Sequence, residues 1–271
     1  MKSDANSRIV KLTPIPGITL TNVPNPVRVH DELIRPANGP ANPMPCPSFL
    51  IEHEHGTVLF DAGISPRGLA DPTGAFFGGL AERWGFELNP SFGIDTQLTR
   101  LGKRLTDIQF VIMSHLHYEH VGGAYLFPNA TFIVGAREFD YAYNTAGVKR
   151  SLFLPNDIEP IRGFRWVETD NDMDLFGDGS VRILQAPGHT PGSLAVAVRS
   201  QAGSFIISGD ACHHRIEVET GIPCGMPDTL TATKSLRRLI LLSRTWRAPI
   251  WVQHSQHHWD EYSALCATSE V

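Results

Sequence analysis

Apolar residues run almost without interruption through the two arms of SFLIEHEHGTVLFDAG (48–63), with polar His55-Gly56 between them. That pattern predicts a β-hairpin ending on Asp61-Ala62-Gly63. DIQFVIMSH (107–115) is a continuous apolar run of the kind buried on both faces of a sheet, and ATFIVG (130–135) repeats it after a turn at Pro128-Asn129. VRILQAPGH (181–189), LAVAVRS (194–200) and SFIISGDA (204–211) predict three more strands, and PIWVQH (249–254) a last short one. DTLTATKSLRRLILLSRT (228–245) carries apolar positions at helical spacing and opens on an Asp or Thr cap. Residues 80–84 and 95–105 read as helical within a glycine- and aromatic-rich stretch. Residues 136–170 read as helical, then irregular, with aromatics at Phe139, Tyr141 and Tyr143. The proline- and asparagine-rich residues 1–46 hold one apolar run, 15–23, expected as an edge strand followed by an irregular segment. Hairpins mixed with strand–helix alternation exclude a purely doubly wound sheet. With no repeat or Ser/Gly linker, 1–271 is expected to be a single domain with 1–46 packed on it.

Composition narrows the function classes. A chain of 271 residues can bury a sizeable core, and 42% hydrophobic with 19% charged residues is ordinary for a globular protein. The net charge of −5, without a basic run, argues against nucleic acid as a partner. No apolar run approaches the ~20 residues needed to span a bilayer, and the first residues lack the apolar core of a secretory signal. Cys46, Cys212, Cys224 and Cys266 form no C-x-x-C pair, so a reduced, cytoplasmic protein without a cysteine zinc cluster is expected.

The informative excess is histidine. MSHLHYEHVGG (113–123) places His115, His117 and His120 within six positions, beside Glu119. His115 and His117 at a strand end share one face, and His120 falls at a helix start where Gly122-Gly123 allow close backbone packing. A lone histidine is usually a hydrogen-bonded core or surface residue; three at this spacing point to a metal. Imidazole and carboxylate without thiolate suit zinc, and also manganese, iron or cobalt. His189 follows a strand in APGHTPGS, Asp210 ends one in IISGDACH, and His254 ends PIWVQH. A carboxylate at Asp210 is costly unless it is paired, metal-bound or used as a cap. His257 and His258 are expected at the surface. Residues at the ends of separate strands can converge on one edge of a layered fold.

The order His-x-His-x-acid-His, Gly-His, Gly-Asp and a late histidine resembles the metallo-β-lactamase superfamily, and TVLFDAG resembles one of its strand endings. The resemblance implies an α+β fold, an αββα four-layer sandwich, with a dinuclear metal centre on one edge. It also implies that His115, His117 and His189 bind a first metal and Glu119, His120 and His254 a second. Asp210 would bridge the two metals and Asp61 would support a ligand histidine. SHLHYEHVGGAYLFPNA, APGHTPGSLAV and SGDAC are most similar to the branch of N-acyl-homoserine lactonases and 4-pyridoxolactonase. Two positions depart from that branch: Glu119 replaces its aspartate, and His213 stands where it carries a tyrosine that polarises the substrate carbonyl.

The resemblance therefore implies two divalent ions, Zn2+ first among Mn2+, Fe2+ and Co2+, and a small-molecule substrate. The reaction implied is opening of a lactone, or cleavage of a related carboxylic ester, by metal-activated hydroxide. Catalytic roles would fall to Glu119, Asp210 and His213, with Glu119 able to return a proton to the leaving oxygen. Thioester hydrolysis of the glyoxalase II type and a metal-binding module without catalysis are the alternatives. Phe76, Phe77 and Trp84 read as an apolar substrate wall, or as core under a long loop. His214 is expected to face solvent. A homodimer is compatible with the sequence, although nothing locates its surface.

Overall fold

The computed structural model describes residues 9–29, 32–34, 40–144 and 152–269. Its strands are β1 (Lys11–Ile15), β2 (Thr19–Leu20), β3 (Val27–Val29), β4 (Glu32–Ile34), β5 (Met44–Pro45), β6 (Ser48–His53), β7 (Gly56–Phe60), β8 (Phe110–Ile112), β9 (Thr131–Gly135), β10 (Arg165–Thr169), β11 (Met173–Asp174), β12 (Val181–Gln185), β13 (Leu194–Ser200), β14 (Gly203–Ile207) and β15 (Ile250–Trp251). The helices are α1 (Pro66–Leu69), α2 (Leu80–Trp84), α3 (Ile94–Arg100), α4 (Tyr118–Val121), α5 (Glu138–Asn144), α6 (Pro155–Ile158), α7 (Arg215–Thr220), α8 (Thr229–Trp246) and α9 (Gln256–Thr268).

Two large sheets carry the fold. One has the order β1-β6-β7-β8-β9-β10, the other β11-β12-β13-β14-β15. Period-two alternation splits each strand between two cores. Phe49, Ile51, Val58, Phe60, Ile112 and Ile133 of the first sheet pack with Ile183, Val196, Phe205 and Ile207 of the second, between the sheets. Leu50, Leu59, Val111 and Phe132 point the other way, to Leu98 of α3 and Ile158 of α6. Leu184, Ala195, Ala197 and Ile206 meet Leu236 and Leu239 of α8. Helix, sheet, sheet and helix thus form the four layers expected. α8 starts where its cap was read, with the Asp228 side chain accepting from Thr231 N.

β7, β8 and β9 run parallel, as do β14 and β15. β12 and β14 are each antiparallel to β13, so they share a direction. Contacts of Asp61 with Gln253 and of His115 with Asp210 join the C-terminal ends of the two sets, so those of β7, β8, β12, β14 and β15 gather at one edge.

The N-terminal reading needs correction. The edge strand is Lys11–Ile15, because Pro16-Gly17 interrupts the apolar run, and only Thr19–Leu20 of that run pairs again, with Met44–Pro45. Residues 1–8, 30–31 and 35–39 of this segment, and 145–151 of the stretch read as helical then irregular, lie outside the described residues. Residues 165–169, read as irregular, form an edge strand parallel to β9. Phe77 falls to the second of its two alternatives, core. It has no exposed surface and packs with Phe86 (centroids 5.3 Å apart), which in turn stacks on Tyr118 of α4. Phe76 and Trp84 are partly buried in the same cluster with Ile18, Leu20 and Met44. The aromatic stretch is therefore core beneath the N-terminal segment, and it holds α4 in place.

Asp157 on α6 is buried, and burial pushes its pKa up to about 8, with Ser65 and Arg67 offsetting this only in part. A raised carboxyl pKa means that the folded protein keeps a proton the unfolded chain has released. Stability should fall as pH rises from about 4 to 8, by roughly 1.4 kcal/mol for each pH unit crossed between the two pKa values. Asp157→Asn is expected to melt at least ~2–4 °C above the parent at pH 8.5, with the gap closing toward pH 4. Melting curves across that range check it; a pH-independent gap would contradict it.

Candidate metal centre

Each strand of that shared edge delivers at least one polar group. His115 and His117 lie just beyond β8, with His117 as the N-cap of α4 and Glu119 and His120 in its single turn. The close approach expected of Gly122-Gly123 is present: a Cβ on Gly122 would lie 2.2 Å from Ser65 N, and one on Gly123 2.4 Å from Ala62 O. His189 sits in the β12–β13 turn, Asp210 in a short turn after β14, and His254 after β15.

Asp210 is the centre of the cluster. Its Oδ2 lies 3.7 Å from His115 Nε2, 3.3 Å from His189 Nε2 and 3.2 Å from His213 Nε2. Its Oδ1 lies 3.4 Å from His120 Nε2 and 3.0 Å from His254 Nε2. The two oxygens of one carboxylate therefore face two different sets of imidazoles. His117 Nδ1 and His189 Nε2 approach to 3.0 Å, closing a set with His115. His115, His120 and Asp210 form a second set of mutually close donors, and His189, Asp210 and His213 a third.

Hydrogen bonds around the cluster settle where protons sit. His120 Nδ1 lies 2.8 Å from Asp61 Oδ2, and His254 Nδ1 lies 2.8 Å from Pro45 O. Those oxygens only accept, so each Nδ1 carries the hydrogen and, in the neutral ring, each Nε2 offers a lone pair toward Asp210. Ser114 Oγ donates to Asp61 Oδ2 (2.9 Å) and so accepts from His115 Nδ1 (3.1 Å), which leaves His115 Nε2 bare in the same way. Asp61 also accepts from Ser114 N at 2.7 Å and Gln253 Nε2 at 2.9 Å. It is buried with φ +58°, a left-handed conformation that aspartate tolerates better than most residues.

Burial is nearly complete, and it drives the electrostatics. It pushes the pKa of His115 and His117 well below the ordinary imidazole value and that of His189 to about 3, favouring neutral rings. Burial would also lower His254 and His120, but the Asp210 charge raises both. Burial would raise Asp210, yet the imidazoles, His254 first, hold it well below the usual carboxylate range. Burial raises Glu119, against the pull of His120.

Divalent cations fit this donor set. His115 Nε2, His120 Nε2, Glu119 Oε2 and Asp210 Oδ1 are buried and complete no hydrogen bond. Such orphaned polar atoms are expensive in a protein interior. Four in one cluster, from imidazoles and carboxylates with no thiolate, match zinc-type coordination. Glu119 is in none of the three sets of close donors.

Other residues were not legible as part of the site. Pro45, Cys46 and Pro47 of the N-terminal segment reach it: Cys46 Sγ lies 3.7 Å from His254 Nδ1, and Pro47 O accepts from Gln253 Nε2. Buried Glu217 accepts from the backbone of His213, His214 and Cys224, fixing the loop after Asp210. No spacing rule marks these. His214, expected in solvent, is half-buried, and His258, expected at the surface, is buried and accepts from Val252 N. A cavity of about 400 Å3 lined by Asn25, Asn42, Met44, His213, His214 and His254, among others, opens beside the cluster.

Known proteins share both sequence and shape with this chain. An N-acyl homoserine lactonase AttM of Azorhizobium caulinodans is 29% identical over 241 residues, covering 87% of this chain and 91% of the relative. An N-acyl homoserine lactonase of a Bacillus species is 28% identical over 198 residues, covering 72% and 75%. The solved structure of an N-acyl homoserine lactone hydrolase, with the product N-hexanoyl-L-homoserine at its catalytic metal centre, superposes with a TM-score of 0.74. It is 24% identical, with coverage of 94% of this chain and 97% of that one. The dizinc quorum-quenching lactonase AidC superposes at 0.59, with 20% identity and coverage of 79% and 73%. Residues 41–249 match the model of the metallo-beta-lactamase superfamily. The chain belongs to the metallo-beta-lactamase superfamily.

Proposed function

We propose that this protein is a metal-dependent hydrolase that opens a lactone or cleaves a related carboxylic ester. The observation that carries the reading is the Asp210 carboxylate, with Oδ2 toward His115 and His189 and Oδ1 toward His120 and His254. His115, His117 and His189 would hold one divalent ion, and His120, His254 and Glu119 a second. Asp210 would serve both, and zinc suits the donors best. Bound there, such ions supply Lewis acidity and a hydroxide nucleophile near neutral pH. The lactonases among the relatives support the choice of substrate class.

The chain's own residues divide the remaining work. Asp61 holds His120 in the tautomer that presents Nε2. His213 lines the 400 Å3 cavity with its Nε2 3.2 Å from the Asp210 carboxylate, and it would turn a ring N–H from there to a substrate carbonyl. Glu119 Oε2, buried and without a hydrogen bond, is the oxygen that would pass a proton to the leaving group. Substrate would be a small molecule entering beside His213.

No helix among the described residues is long and apolar enough to cross a membrane. The cysteines form no disulfide, which supports residence in a reducing compartment, the cytoplasm.

Assaying lactone, ester and thioester substrates in parallel, on metal-replete protein, tests the reading. Lactones are expected to give the highest kcat/KM. A thioester preference would move the protein to another reaction, and full metal loading without turnover of any substrate would make it a binding module.

A further inference from the structure

Glu138, in the first turn of α5, has no exposed surface and belongs to none of the donor sets above. Its Oε1 accepts from Leu116 N at 3.0 Å and its Oε2 from Gly192 N at 3.2 Å, and the Thr190 hydroxyl, 2.7 Å from Ser193 Oγ, favours its ionised form. Leu116 is the residue between His115 and His117, so its peptide sets the direction of both imidazoles. Thr190 and Gly192 belong to the loop that carries His189. The loop is seated directly on this carboxylate's own segment. A Cβ on Gly192 would lie 2.5 Å from Glu138 Cβ, and one on Gly135 would lie 2.1 Å from Gly192 O. Arg137, just before Glu138, takes φ +75°. A non-glycine residue holds that conformation only where the surroundings enforce it. Burying a carboxylate is costly unless every oxygen is used. Here both oxygens are engaged, one by the backbone of each loop.

We propose that Glu138 is a positioning residue that sets the distance between the His115/His117 arm and the His189 arm of the first donor set. It works through the loop backbones and touches neither metal nor substrate. The inference rests on the metal-dependent reading above. Glu138→Gln keeps the shape but turns an amide N–H2 toward a backbone N–H, so one of the two loop contacts is lost. Outer partners of metal ligands typically matter by roughly 10–100-fold in affinity.

Stepwise titration of metal-free protein with Co2+, followed by visible absorption and by competition with a chromophoric chelator, separates the two sites. For Glu138→Gln the site of His115, His117 and His189 is expected to weaken by about 10–100-fold with a changed Co2+ spectrum, while the other stays within about threefold. Unchanged affinities and spectrum would overturn the proposal. Equal weakening of both sites, in step with a lower melting temperature, would overturn it too, since that is what simple loss of packing does. If Glu138→Gln does not fold, Thr190→Val decides. Selective weakening of the same site supports the proposal, and an unchanged or uniform response overturns it. Failure of the parent protein to bind Co2+ would instead remove the metal-dependent reading itself.

Discussion

Asp210→Ala is expected to weaken metal binding at both sites together and to lower hydrolysis by at least the roughly 10²–10⁴-fold that one positioned catalytic group contributes. The reason is the shared carboxylate. Five imidazoles approach its two oxygens at 3.0–3.7 Å, and removing it leaves them packed against one another in a dry interior without the charge that holds them. The loss should exceed that of His213→Ala or His214→Ala, because each of those residues serves one side of the cluster or the cavity wall only. His213→Tyr is the companion variant. If His213 fills the role of the lactonase tyrosine, this change should keep substantial lactonase activity. Metal analysis and turnover on the three variants check the order; an Asp210→Ala protein with two tight ions and parental rates would contradict it.

Glu119→Gln is expected to weaken the site of His120 and His254 far more than that of His115, His117 and His189. Glu119 is 9% exposed, its Oε2 has no hydrogen bond, and it shares a four-residue helix with His120. A neutral amide is a poorer ligand for a divalent cation. Glu119→Asp restores the acid of the lactonase branch and should hold the second ion. Retention of both ions with a roughly 10²–10⁴-fold loss of turnover would assign Glu119 to proton transfer alone. Two ions at parental rates would make it a bystander.

Much of this site was legible because its chemistry follows strands. His115, Asp210 and His254 each end an apolar run buried on both faces, and such runs are the clearest signals in the chain. Parallel and antiparallel pairing then brings those ends to one edge. Elements with little apolar contrast were not legible. Arg165–Thr169 is an edge strand with mostly exposed or half-exposed positions, and Gln256–Thr268 buries few side chains beyond His258 and Cys266. The aromatic stretch stayed ambiguous for a different reason. Phe77 and Phe86 look identical in sequence whether they line a pocket or fill a satellite core, and only the N-terminal segment packed over them decides it. The supports were hidden too. Glu138 and Gln253 act on a backbone group and on Asp61 at long sequence separations, and Glu217 on the backbone of its own loop, which no hydrophobic pattern records.

The most direct measurement is the metal content of gently purified protein, determined on the same preparation as lactone turnover before and after chelation. Close to two divalent ions per chain are expected, with turnover abolished when they are removed and recovered when they are returned. A stoichiometry that never exceeds one ion, or turnover that survives complete metal removal, would contradict this expectation.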